Sequence, residues 1–192
     1  MLNIAEHAAR EAGVAERMAL HHGDTSRLAN LFPAGSFDLI ICHNILEFVE
    51  GPDSVLRDAA RALRDPSSII SILVRNQAGD VLKAAIRDGD LAAAEHHLTA
   101  EWGVESLYGG RVRLFRPESL RAMVKEAKLA MISERGVRCI ADYLPQQVSR
   151  SPEYDRIFEL ERKLGGRPEF AAISRYTQFI AHRPTAVTED GA

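Results

Sequence analysis

Between residues 37 and 74 two apolar runs flank an amphipathic one, and this alternation restricts the fold more than any other feature of the chain. Phe37–Cys42 is almost continuously apolar and follows the turn Pro33-Ala34-Gly35-Ser36. Such a run is the pattern of a strand buried in a parallel sheet. Asp53–Leu63 then places Val55, Leu56, Ala59, Ala60 and Leu63 at helical spacing on one face, and Pro66 marks its end. Ile69–Val74 is a second apolar run. A strand, a helix and a second strand in this order predict an α/β fold with a parallel sheet.

The flanking segments fit the same architecture. Met1–Ala12 is rich in Ala, Glu and Leu and stops at Gly13, and Met18–His22 reads as a short strand running into Gly23-Asp24. Gln77–Leu107 is Ala-rich and helical, without strand signals, and Pro117 opens a helix that runs to about Lys128. Met131–Ile140 is predicted as a strand, Pro152–Leu164 as a helix and Tyr176–His182 as the last strand. A chain of 192 residues suffices for one domain, assigned to 1–184, with 185–192 as a disordered tail.

Composition removes several classes of function. No stretch approaches the roughly 18 to 20 apolar residues of a membrane span, and the start lacks the basic flank and apolar run of a signal peptide. Cys42 and Cys139 are far apart, so a disulfide framework is not expected and a reducing cytoplasm is. His21-His22 and His96-His97 are adjacent pairs whose rings diverge, and with no His-Glu-x-x-His or Cys-x-x-Cys spacing no metal site is expected. No Gly-x-Ser-x-Gly elbow occurs. Charge is uneven: residues 1–110 hold nine Lys/Arg against sixteen Asp/Glu, and residues 111–183 hold fifteen against nine. This is either scatter on a solvated surface or the mark of an anionic partner such as a phosphate backbone.

Three places draw attention as sites. His43 and Asn44 are the first polar residues after the Phe37–Cys42 run, so they emerge where open α/β sheets bind ligands. A His at a strand end also serves structure alone. Arg138 lies inside the predicted strand Ile132–Ile140, where a charge requires a partner or a ligand. Asp142 could be that partner; alternatively the guanidinium takes a carboxylate. Trp102, Tyr108 and Phe115 either line a substrate mouth or pack against the inserted helices.

The run FDLIICHNILEFV, with SVLRDAARALR and SIISILV after it, resembles the class I S-adenosylmethionine-dependent methyltransferases. The resemblance implies a Rossmann-like sheet with a helical insertion, and S-adenosylmethionine as cofactor. The strand ending His22-Gly23-Asp24-Thr25 is similar to the third strand of that family. This implies that Asp24 and Thr25 hold the adenine end of the cofactor and that His43 sits beside its methionine part. Gly136-Val137-Arg138, Asp142-Tyr143-Leu144, Leu160-Glu161, Arg175-Tyr176 and Arg183-Pro184 resemble the bacterial tRNA 5-carboxymethoxyuridine methyltransferase branch. That likeness implies a carboxylate acceptor on a tRNA uridine, contacted by Arg138, Tyr143, Arg175 and Tyr176. No catalytic acid or base is assigned, because an ionised carboxylate nucleophile requires none.

The chain departs from the family in two ways. Leu63-Arg64-Asp65-Pro66-Ser67 stands where Leu-Arg-Pro-Gly-Gly is usual. The opening strand, glycine-rich turn and helix, and the second strand with its ribose-binding acid, have no counterpart in the sequence. The turn lets backbone approach the ligand, and the helix N-terminus favours its carboxylate. By resemblance Met1–Gly13 is the helix after that second strand, so Met18–His22 is expected to lack neighbours and the sheet to show an open edge. Upstream residues, a partner chain or a second copy would complete it, unless the chain is a remnant. A small-molecule carboxyl or hydroxyl methyltransferase and a non-catalytic binding module are the alternative functions.

Overall fold

The amphipathic run after Gly51 is a helix in the computed structural model, which describes residues 2–105, 109–144 and 153–185. This helix, α3 (Pro52–Ala62), follows α1 (Leu2–Glu11), α2 (Leu28–Leu31) and the strand β1 (Leu39–His43). Pro52 suits the first helical turn, where its missing N–H has no partner to lose. The apolar face of α3 buries Val55, Leu56, Ala59 and Ala60 against Ile70 and Ile72 of β2 (Ile69–Arg75). β1 and β2 run parallel, with Leu39 opposite Ile69 and His43 opposite Leu73. The α/β architecture and its strand–helix–strand unit therefore match the expectation.

After β2 come α4 (Gln77–Leu82), a π-helical turn over Lys83–Arg87, α5 (Leu91–His97) and a hairpin of β3 (Trp102–Val104) and β4 (Arg111–Arg113). Then follow α6 (Pro117–Glu126), β5 (Ala130–Val137), α7 (Tyr154–Leu164), α8 (Pro168–Ala171) and β6 (Tyr176–His182). The four-stranded sheet has the order β1-β2-β6-β5, and β6 is antiparallel to both neighbours. Only β1 and β2 are parallel, so the sheet is mixed rather than parallel throughout. β6 alternates buried Thr177, Phe179 and Ala181 with partly exposed residues. Phe179 and Ala181 share one core with Leu120 and Val124 of α6.

Four expectations are corrected. Met18–His22 is exposed and is not a strand, because no described strand lies beside it to accept its backbone hydrogen bonds. β1 is not buried on both faces: it is an edge strand, with Leu39 52% and Ile41 61% exposed. The sheet therefore shows an open edge at β1. The segment Gln77–Leu107 contains β3, whose three residues are too few to show a strand period. Arg138 lies beyond the end of β5, in a turn with φ 58°, and not within a strand. Leu107, Tyr108, Pro152 and residues 186–192 of the tail lie outside the described residues. None of the described helices is long and apolar enough to cross a membrane.

Candidate active site

A cleft of about 430 Å³ opens at the C-terminal ends of β1 and β2. Asn44, Glu47 and Phe48 reach it from the loop after β1, and Arg75 from the last position of β2. Arg138 and Asp142 come from the turn after β5, and Arg175 and Tyr176 from the start of β6. Lys83, Arg87 and Glu105 close the remaining side. Ligands of open α/β sheets bind at this end because the strand termini and their loops leave a crevice there.

The backbone is strained at two points of the lining. Asn44 has φ 52° and Arg138 φ 58°, and both line the cleft. Asn tolerates the left-handed region through local hydrogen bonding, whereas an Arg there requires its surroundings to hold it. Glu161 supplies the hold. Its carboxylate accepts the N–H groups of Cys139 at 2.7 Å, Ile140 at 2.9 Å and Ala141 at 2.7 Å. Three successive amides are thus pinned just after Arg138, and the carbonyl of Arg138 accepts the N–H of Arg175 at 3.2 Å.

Beneath the cleft lies a chain of buried ion pairs. Arg175, 3% exposed, reaches Asp80 at 2.6 Å and Asp142 at 3.4 Å. Arg75 reaches Asp80 at 3.6 Å, and Arg138 pairs with Asp142. Of the two fates open to Arg138, a partner or a ligand, Asp142 supplies the first. The pairing does not exhaust it, since its side chain is 52% exposed while that of Asp142 is 5% exposed. The Arg175 guanidinium lies 5.8 Å from the Tyr176 ring centre.

Glu47 is 1% exposed. One oxygen accepts the N–H of Arg75 at 2.9 Å, and the other has no hydrogen-bond partner. Burial pushes its carboxyl above the ordinary range, against the pull of two backbone amides and Arg75. A carboxyl raised on folding contributes stability that is present below its unfolded pKa and is lost as pH rises through the folded value. Glu47→Gln keeps an oxygen for the Arg75 N–H and does not titrate. The variant is therefore expected to gain on the wild type as pH rises above the ordinary carboxylate range, where the wild type must ionise a buried group. Urea unfolding of both proteins between pH 4 and 8 measures this, and a constant difference contradicts the burial penalty.

Of the residues expected to contact substrate, Arg138, Arg175 and Tyr176 meet in the cleft. Tyr143 stands behind them, with its hydroxyl donating to the carbonyls of Gly79 at 3.3 Å and Ile173 at 3.4 Å. Burial raises its pKa to about 12, so it remains a donor at neutral pH. The cofactor residues are not brought into the cleft. Asp24 is exposed and accepts the N–H of Ser26 at 2.8 Å; the Ser26 side chain and this N–H together hold its carboxyl below the usual range, and Thr25 begins a 3₁₀ turn. His43 ends β1 with Nε2 at 2.7 Å from Ser71 Oγ, and desolvation lowers its pKa. Phe115 is a core residue at 3% exposure, so for it the packing alternative holds.

Sequence reasoning missed Glu47, Arg75, Asp80 and the role of Glu161. Two signals were present: an acid inside the apolar stretch Ile45-Leu46-Glu47-Phe48-Val49, and an arginine directly after the apolar Ile72-Leu73-Val74. A charge embedded in an apolar run implies a buried partner. Glu161 carries no such signal, because α7 alternates charges along its whole length.

Residues 1–71 match a family described as a methyltransferase domain. The chain is 24% identical over 193 residues to the tRNA 5-carboxymethoxyuridine methyltransferase of Escherichia coli K12, covering 96% of this chain and 68% of that protein. Its fold is similar to the [4+2]-cyclase SpnF, with a TM-score of 0.57 at 18% identity, covering 96% of this chain and 63% of that one. An O-methyltransferase family protein from Burkholderia thailandensis aligns with a TM-score of 0.55 at 15% identity, over 96% of this chain and 41% of that one. The chain thus spans less than two thirds of these two structures. A cyclase beside a methyltransferase shows that fold alone does not name the reaction.

Proposed function

We propose that this chain, which has the fold of class I S-adenosylmethionine-dependent methyltransferases and matches a methyltransferase domain over residues 1–71, methylates an anionic acceptor held in the cleft. The carboxylate of a modified tRNA uridine is the acceptor this reading favours, after the relative from Escherichia coli. The observation that carries it is the Arg138 guanidinium at the cleft, which stays half exposed although it pairs with Asp142, whereas Arg75 and Arg175 are paired with Asp80 and Lys83 with Asp88. A half-exposed guanidinium at a cleft wall favours an anion over a neutral ligand.

The methyltransferase domain and fold imply S-adenosylmethionine as cofactor, and one wall for it fits. Asp24 remains ionised and can accept from an amino group, and Asn44 turns its left-handed backbone at the edge where β1 ends. Asp24, Thr25 and His43 are the residues proposed to hold it. When bound, S-adenosylmethionine supplies an electrophilic methyl group on sulfur.

The chain's own contribution is alignment. The half-exposed Arg138 fork, anchored on one side by Asp142, takes a carboxylate of the acceptor in bidentate fashion. Arg175, buried and paired with two carboxylates, positions the network rather than binding. Phe48, 54% exposed at the rim, offers a flat apolar face to a base. An acceptor carboxylate is already ionised at neutral pH, so the site needs no general base. Tyr143 and Tyr176 complete the wall behind the arginines. The cytoplasm, where tRNA is modified and thiols such as Cys42 and Cys139 stay reduced, is the proposed location. A second reading, a binding module that depends on a partner chain or a second copy, is favoured by the open edge of β1.

Transfer of labelled methyl from the cofactor, with the protein produced from its whole gene, tests the proposal. Label is expected in bulk tRNA, and label entering only small carboxylic acids overturns the tRNA reading. Arg138→Lys keeps the charge and loses the fork, so kcat is expected to fall about tenfold with tRNA affinity unchanged.

A further inference from the structure

The β3–β4 hairpin carries a cationic face that the cleft does not use. Its register pairs Trp102 with Arg113 and Val104 with Arg111, so these four side chains share one face. Gly103 and the fully buried Val112 lie on the other. The Arg111 guanidinium lies 4.3 Å from the Trp102 ring centre and that of Arg113 lies 4.5 Å from it. Nε of Arg113 is buried with no hydrogen-bond partner. Two like charges two residues apart on one strand repel each other, and a shared aromatic ring offsets that repulsion while holding both guanidinium groups in place.

The end of β3 adjoins the cleft. The Val104 carbonyl accepts from Arg75 Nη1 at 3.4 Å, and the next residue, Glu105, lines the cleft itself. A ligand with one unit in the cleft and a chain leading out of it therefore passes over the hairpin.

We propose that the Arg111–Trp102–Arg113 face binds single-stranded RNA beside the nucleotide seated in the cleft. The inference rests on the reading that the acceptor is a nucleotide. The surface lies outside the cleft and grips the neighbouring strand. Fixed cations suit repeating phosphates, and an aromatic ring among them suits bases, so the pair of features fits nucleic acid better than an acidic peptide. Arg111 and Val104 are exposed, the latter at 68%, which leaves the face open to a strand.

Trp102 is the single tryptophan of the chain, so its fluorescence reports on this face alone. Titration of the protein with a short single-stranded RNA is expected to quench or shift that emission. Arg111→Glu combined with Arg113→Glu is expected to weaken binding at least tenfold at low salt. The paired change to Gln is expected to reduce the slope of log affinity against log salt by about 1.4, at about 0.7 for each phosphate that is no longer neutralised. Unchanged Trp102 emission at saturating RNA overturns the proposal, as does wild-type affinity in the correctly folded double variants. Equal binding of polyglutamate overturns the assignment to RNA. A positive fluorescence result with no methyl entering tRNA leaves this surface standing and removes the function proposed for the cleft; methyl entering tRNA without a Trp102 response does the reverse.

Discussion

Arg175→Met is expected to destabilise the protein by about 3 to 5 kcal/mol, measured by urea unfolding, because breaking a buried pair leaves charge without compensation. Arg175 bridges Asp80, at 2.6 Å, and Asp142, at 3.4 Å. Methionine fills much of the volume and so removes the cavity contribution from the comparison. With it in place Asp80 retains only Arg75 at 3.6 Å, and Asp142 retains only the half-exposed Arg138, among the described ion pairs. Adding Asp142→Asn to Arg175→Met is expected to recover part of the loss, since the uncompensated carboxylate is then gone. Distant substitutions add, whereas members of one network do not. A loss below about 1 kcal/mol would mean that solvent reaches the network and that it does not rigidify the cleft.

The second large effect comes from a residue with no side chain. The C-terminal end of α7 meets β5 backbone to backbone, with the Gly136 N–H donating to the Gly165 carbonyl at 2.8 Å. A Cβ at Gly165 would lie 2.3 Å from the Gly136 carbonyl oxygen and 3.3 Å from that of Glu161. The neighbour is backbone and cannot swing aside, so α7 has to move. Gly165 has φ −58°, an ordinary helical value, so the cost arises from the contact alone. Gly165→Ala is expected to cost about 3 kcal/mol, at the upper end for an overpacked site. Displacing α7 also withdraws Glu161 from the amides of Cys139, Ile140 and Ala141, so ordering of Arg138 is expected to fall with stability. Gly166→Ala is the control. Its Cβ would meet only the end of the Arg135 side chain, at 3.4 Å, and a change below about 1 kcal/mol is expected in the same unfolding measurement. Equal losses in the two variants would show that the α7–β5 contact is not tight.

Local pattern explains which elements were legible. α3 and β6 bury a face long enough for a period of 3.6 or 2 to show, β1 and β2 stand out as near-continuous apolar runs, and each of the four lies within two residues of its expected limits. Met18–His22 has the composition of a strand and fails as one, because a strand exists only with a neighbour. The β3–β4 hairpin is the opposite case. Its strands have three residues each, and its buried side consists of Gly103 and Val112.

The candidate site was legible in its identities and not in its arrangement. Arg138, Tyr143, Arg175 and Tyr176 stand out through resemblance, and three of them line one cleft. Arg138 and its partner Asp142 emerge together from a strand reading that places Arg138 in apolar surroundings, although it stands half exposed in the turn after β5. The same rule applied to Glu47 and Arg75 points to buried partners without saying which.

By itself the sequence determined the α/β unit, because apolar spacing at 3.6 and near-continuous apolar runs are properties of neighbours along the chain. It also named Asp142 as the partner of Arg138, on the premise of a strand that in fact ends at Val137. Only the tertiary structure decided that Asp80 and Asp142 answer Arg175, and that Glu161 pins the turn bearing Arg138. It alone made β6 run antiparallel between β2 and β5. These are contacts between residues 20 to 113 positions apart, set by which surfaces the packed core brings together, and no local period encodes them.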